Sequence, residues 1–177
     1  GYNMTNYLLD RGHKNIGFVG TRLMTPSIDD RFFGYLKALM ERGIKYRADW
    51  IIDDRDNIYG KMNYDRQFIL PKEVPTAFFC NCDKAASLII RKLEEAGYSV
   101  PGDVSVVGFD NFEYDQEADI GITTYEINIG EMAKRAVHIM LHKMQNALYS
   151  AGVFSIQGKI IERESVKKIG KSVPYAK

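Results

Sequence analysis

SVVGFDN (105–111) is an apolar run that stops abruptly at a carboxylate and an amide. Ser105, Val106, Val107, Gly108 and Phe109 offer no alternation of polar and apolar positions, so they read as a strand buried on both faces. Strands of this kind belong to parallel sheets covered by helices. The ending then poses the question of function: Asp110 and Asn111 need something polar to touch.

Working outward, the same type of short apolar run recurs as NIGFVG (15–20), WII (50–52), TAFFC (76–80) and ITTYEI (122–127). Helical patterns alternate with these runs. Tyr2, Tyr7, Leu8 and Leu9 lie near helical spacing, with Gly12 as a left-handed stop. A second helix carries Phe32, Phe33, Tyr35, Leu36, Leu39 and Met40, with Ser27 and Asp29 as candidate N-caps and Gly43 as its end. A third is expected from Tyr59 to Leu70, stopped by Pro71, and a fourth over KAASLIIRKLEEAG, with Asp83 as candidate cap. GEMAKRAVHIMLHKM (130–144) is a fifth. VFSIQGKIIERES (153–165) is an alternating strand pair or one long strand, and the polar tail from Val166 is expected to fray. The alternation predicts an α/β fold, an open parallel sheet with helices on both faces.

The chain has 177 residues, 45% of them apolar, enough for one compact domain of ordinary size. Its 24 basic and 23 acidic residues leave a formal charge of +1, no field suited to wrapping DNA. Cys80 and Cys82 have one residue between them, whereas zinc and redox pairs usually have two or more. They read as reduced thiols of a cytoplasmic protein, with a periplasmic one as the alternative. No apolar stretch reaches the roughly 18 residues of a membrane span. The chain opens inside a helical pattern without an initiator Met, which reads as a fragment.

Ligands of open parallel sheets bind outside the carboxyl ends of the strands. Three strands here end in polar groups: Thr21, Arg22 and the stretch Ser27–Arg31; Asn81, Cys82 and Asp83; Asp110 and Asn111. Carboxylates accept hydrogen bonds from hydroxyls and arginine donates in a planar fork, so this rim suits a small polyhydroxylated ligand. The plainer reading makes Asp83 a helix cap and Asp110 a turn former.

Enzyme signatures are missing. VGTRLMTPS lacks the glycine density of a phosphate loop, and neither G-x-G-x-x-G nor G-x-S-x-G occurs. His13, just past Gly12, is expected to donate to spare carbonyls at a helix end. His138 and His142 are four apart on one helix face with no carboxylate to complete a metal set. No cofactor and no metal are expected.

YLLDRGHKNIGFVG, DDRFFGYLKALMERGI, PTAFFCNCDKAASLIIRKLEEAGYSVPGDVSVVGFDN and ITTYEINIGEMAKRAVHIML, followed by a strand ending RES, together resemble the lac repressor (LacI/GalR) family from Tyr2 to Ser165. The resemblance implies a Rossmann-like, periplasmic-binding-protein-like fold (class I), of which this chain is the C-terminal subdomain. It divides the chain into an effector-binding subdomain at 1–127, a helix at 128–150 that in the family packs in the N-terminal subdomain, returning strands at 151–165, and a polar tail at 166–177. The DNA-binding headpiece and most of the N-terminal subdomain would lie outside it. It implies a bacterial transcription regulator that binds a small effector, expected to be a sugar or derivative, without catalysis. Such a regulator is a cytoplasmic homodimer that meets DNA through the headpiece. Arg31 aligns with the arginine that holds effector hydroxyls or carboxylates, Asp110 with the effector-binding aspartate, and Asp83 with the second residue of the family's Asn-Asp pair. Cys82 replaces the asparagine of that pair, and Asn81, one position earlier, is the candidate substitute. The family's stacking aromatic falls within DDRDNIY, where Arg55 or Tyr59 stands in, and Ile127 occupies a position that often carries glutamine. The implied dimer contact uses Lys84 to Leu88 and the stretch from Glu113 to Ile120. An extracytoplasmic sugar-binding protein of a transporter is the alternative.

Overall fold

The apolar run ending at Phe109 finds its neighbours in three other buried runs. The computed structural model describes residues 1–56, 58–112 and 119–170. Its strands are β1 (Ile16–Val19), β2 (Ile51–Ile52), β3 (Ala77–Cys80), β4 (Ser105–Val107), β5 (Thr124–Glu126) and β6 (Lys159–Ile161). Its α-helices are α1 (Tyr2–Asp10), α2 (Pro26–Glu41), α3 (Tyr64–Gln67), α4 (Asp83–Glu95) and α5 (Ile129–Gln145). The first four strands form one parallel sheet in the order β2-β1-β3-β4.

Every residue of β1, β3 and β4 is buried, which requires cover on both faces. Alternate side chains supply the two cores. Ile16, Phe18, Phe79 and Val107 meet α1 and α2 through Met4, Leu8, Phe32, Tyr35 and Leu39. Val19, Phe78, Cys80 and Val106 meet α4 through Ala85, Ala86, Ile89, Ile90 and Leu93. Gly17 is small for a reason: a Cβ there would lie 2.5 Å from the Phe78 ring and 2.8 Å from the Trp50 carbonyl oxygen.

Several local expectations need correction. Thr25, rather than Ser27 or Asp29, caps α2: its hydroxyl accepts from the Ile28 amide at 3.3 Å, and Pro26 opens the helix where a missing N–H costs nothing. Asp29 instead accepts from the Leu23 amide at 2.8 Å. The helix expected from Tyr59 shrinks to the four residues of α3. The Asp56 carboxylate takes the amides of Ile58, Tyr59 and Lys61, holding the chain in a loop, and Gly60 adopts a left-handed φ of 66°. The helix starts only after Asn63, whose side chain accepts from the Arg66 amide.

ITTYEI is not a full fifth strand of the sheet. It touches the edge through single parallel bridges, Val107 to Thr123 and Asp110 to Glu126, while β5 pairs antiparallel with β6. Of the expected strand or strands at 153–165, only Lys159–Ile161 is extended and paired. The tail is tied rather than frayed through Gly170. Lys167 donates its amide to the Ser105 hydroxyl, and Ile169 donates its amide to the Arg11 carbonyl. Residues 171–177 of that tail lie outside the described residues. His13 is fully buried between the Thr76 hydroxyl and the Lys167 carbonyl, each 3.1 Å away, so it joins the chain's two ends rather than finishing α1. Burial lowers its pKa.

No residue of α5 is buried, although Met132, Val137, Met140, Leu141 and Met144 give it an apolar face. Among the described residues, no helix is long and apolar enough to cross a membrane.

Candidate functional site

The strand-end carboxylate sits in an unusual backbone. After Val107 the chain turns through Asp110 at φ 102° and Asn111 at φ 50°, conformations that cost a non-glycine residue about 1–3 kcal/mol each. Such strain persists only where neighbours over-determine it. Here they do. The Asp83 amide donates to the Phe109 carbonyl at 2.9 Å, and the Asp110 amide donates to the Tyr125 carbonyl at 3.0 Å. The Phe112 amide donates to Asp83 Oδ2 at 3.1 Å. The Asn111 side chain donates to Glu126 at 3.0 Å and accepts from Arg163 at 2.7 Å.

The turn presents Asp110 to Arg31. From the first half of α2, Arg31 donates Nη1 to the Asn81 carbonyl at 2.9 Å and points Nη2 at Asp110 Oδ1, 3.4 Å away. Its guanidinium lies 4.0 Å above the Phe109 ring, which stacks in turn on Tyr125 at 5.4 Å. Both members of the pair keep some exposure, 18% for Arg31 and 25% for Asp110, so solvent reaches them. Burial raises the Asp110 pKa, against the opposing pull of Arg31. A donor fork and an acceptor carboxylate are therefore held side by side on an aromatic face.

A second pair lies at the ends of β2 and β1. Asp54 is completely buried and ion-paired with Arg55, which donates Nη2 at 2.6 Å and Nε at 3.0 and 3.1 Å. The Thr21 amide and the Asn81 side chain complete its shell at 2.9 and 2.8 Å. Burial pushes the Asp54 carboxyl up, but the bonds from Arg55, Asn81 and Thr21 together outweigh it and leave its pKa lowered. Arg55 is a candidate from the sequence, whereas sequence reasoning missed Asp54. The signal is present, since DDR follows the WII strand just as other polar groups follow the other strands.

The remaining candidates divide by orientation. Asn81 turns its side chain inward, donating to the Val19 carbonyl and to Asp54, so its amide is occupied and only its backbone carbonyl serves the rim. Cys82 is buried, and burial pushes its thiol up to about 11. Asp83 does not cap α4: Cys82 holds the cap position without a side-chain bond, and Asp83 is the first helical residue. It is buried, and burial pushes its carboxyl up to about 6, opposed by the nearby Thr124 hydroxyl and the Phe112 amide. Thr124 does not meet hydrogen-bond geometry, and Oδ1 of Asp83 has no such partner among the described residues. Ser27 is exposed in the first turn of α2, 3.1 Å from the Thr25 hydroxyl. Tyr59 is exposed as well. Among the described residues no group of three or more His, Cys, Asp or Glu is placed to hold a metal.

A family model described as the periplasmic binding protein-like domain matches residues 5–166. The HTH-type transcriptional repressor PurR of Photobacterium profundum is 31% identical over 169 residues, covering 96% of this chain and 51% of that protein. The PurR of Pasteurella multocida is 30% identical over 170 residues, covering 94% of this chain and 50% of that protein. The chain thus spans about half the length of the curated relatives it matches. Among solved structures, a LacI-type transcription regulator from Bifidobacterium animalis subsp. lactis superposes with TM-score 0.76 at 25% identity, over 94% of this chain and 63% of that one. The transcriptional regulator CelR in complex with cellobiose gives TM-score 0.76 at 21% identity, over 91% of this chain and 49% of that one. The chain belongs to the periplasmic binding protein-like domain family, as a region of a LacI/GalR-type effector-binding core.

Proposed function

We propose that this chain is the effector-sensing part of a bacterial DNA-binding transcription regulator, and that Arg31 and Asp110 make its direct polar contacts to the effector. The observation that carries the reading is the Arg31–Asp110 pair itself, partly exposed on the Phe109 face and set there by a strained turn. The effector is a small polar molecule, a sugar or sugar derivative. Hydroxyl groups can both donate to Asp110 and accept from Arg31, and cellobiose is bound by a regulator of the same fold. Arg55 borders the same strand ends, whereas Asn81, Cys82 and Asp83 support the rim from beneath. Binding favours one hinge angle and so alters operator affinity, by no more than the effector's differential affinity for the two arrangements. DNA contact comes from a helix-turn-helix segment beyond this chain, in keeping with the near-neutral charge here and with relatives named as repressors.

The same relatives speak against an extracytoplasmic sugar carrier, and they support a cytoplasmic protein without catalysis. We retain a homodimer in the proposal, with one change to its surface. Ala85 and Ala86 are fully buried in the chain's own core, so a partner would meet Lys84 and the segment beyond Phe112, of which 113–118 lie outside the described residues. The deciding experiment is a thermal-shift screen of the full-length gene product with mono- and disaccharides beside planar nitrogenous bases. A sugar that raises the melting temperature and alters operator binding supports the reading. A response confined to planar bases would overturn its sugar part, and a response to neither with no operator binding would overturn the whole.

A further inference from the structure

Asp83 is placed to do something other than touch a ligand or cap a helix. Its amide donates to the Phe109 carbonyl, and its Oδ2 accepts from the Phe112 amide, so one residue grips the turn on both sides of Asp110 and Asn111. Those are the two residues of the turn with positive φ. The carboxylate is buried beneath the turn, and a Cβ on Gly108 would collide with its Oδ1. The strand end can therefore approach the carboxylate only because residue 108 is glycine. Leaving Oδ1 without a hydrogen-bond partner among the described residues is costly for a buried carboxylate. The arrangement makes sense if the service of Oδ2 to the turn outweighs that cost. The charged groups that face Asp83 are Asp110 from the turn and Arg163 from the returning chain, and neither bonds to it.

We propose that Asp83 is a positioning residue that pins the 109–112 turn and so sets Asp110 opposite Arg31. The consequence for effector affinity rests on the function proposed above; the pin itself does not. Amide hydrogen exchange of the 177-residue chain tests it, comparing wild type with Asp83→Ala and Asp83→Asn at pH 7.5. Asn retains an oxygen able to accept from the Phe112 amide, whereas Ala removes it. Amides of 108–112 should exchange about tenfold faster or more in the Ala variant and within about threefold of wild type in the Asn variant, with β1 and β3 protected equally in all three. Unchanged exchange at 108–112 in the Ala variant would overturn the proposal. So would a loss spread evenly over the sheet, which marks a purely structural role, or an Asn variant as fast as Ala, which makes charge rather than acceptor geometry the cause. Exchange needs no effector, so a screen that finds none, with no operator binding, would refute the functional reading while leaving this result intact.

Discussion

Replacing Asp54 by alanine should be among the most damaging single changes in this chain. The carboxylate is fully buried and accepts from the Thr21 amide, the Asn81 side chain and Arg55. Arg55 retains 18% exposure and can turn toward water, so its loss of a partner is softened. Thr21 and Asn81 are about as buried as Asp54 and have no such escape. Each stranded donor costs about 1–3 kcal/mol, and breaking a buried pair from one side typically costs about 3–5 kcal/mol. Relief from desolvating the carboxylate subtracts from the sum, so about 3–5 kcal/mol is the expected loss. In a chain of this size each kcal/mol moves the melting temperature by about 2–4 °C, a fall of roughly 6–20 °C. Asp54→Asn should do little better, because its amide would face the donors of Asn81 and Arg55. The assay is urea unfolding followed by far-UV circular dichroism at pH 7, repeated at lower pH. The lowered folded pKa of Asp54 means that its stabilisation is present above the unfolded value of about 3.9 and is lost as pH falls through the folded one. The gap between wild type and Asp54→Ala should therefore narrow in acid. A loss under about 1 kcal/mol at pH 7 would refute the reasoning.

Arg31→Ala should weaken binding of a sugar returned by the screen about 10- to 150-fold, the worth of a charge-assisted contact of about 1.5–3 kcal/mol, and calorimetric titration reads it. Asp110→Asn should weaken binding with little change in melting temperature; full affinity in both variants would make the pair structural. His13 has a pKa lowered by burial, so the folded state disfavours its protonated form. Its contribution should be present above the unfolded value of about 6.5 and lost as pH falls, and His13→Gln should flatten that part of a stability-versus-pH curve. Cys80 and Cys82 are buried with thiol pKa values pushed up by that burial, so a thiol reagent such as Ellman's should react with them only on unfolding. Rapid reaction of native protein would contradict that placement.

The sheet was legible because its strands are short apolar runs with no alternation, and the strand-end rule then put Arg31 and Asp110 together from segments 79 residues apart. What could not be read were contests between equally suited side chains. Thr25, Ser27 and Asp29 can all cap, and Pro26 decided among them by fixing the first helical position. Residues 59–63 have a helical pattern, but the Asp56 side chain competes for their amides, and propensity does not register one carboxylate. Asn81 looked like a substitute ligand contact until Asp54, 27 residues earlier, claimed its amide. Orientation of that kind is tertiary information.

The pairing of β5 with β6 carries a mechanical consequence. Residues 127–158, α5 among them, are held between two strands hydrogen-bonded to each other at Thr124–Ile161, Tyr125–Ile160 and Glu126–Lys159. Separate tethers would let whatever α5 carries twist and slide as well as tip. A hydrogen-bonded pair of strands restrains the segment between them more than two separate tethers would. Ser165 anchors the base of this ribbon, accepting from the Thr123 amide and donating to the Val106 carbonyl. The Asp110–Glu126 bridge joins its flank to the rim. Backbone pairing thus runs unbroken from the rim into the ribbon that holds α5, and a substitution that unpairs β5 from β6 is expected to loosen that attachment without touching the rim.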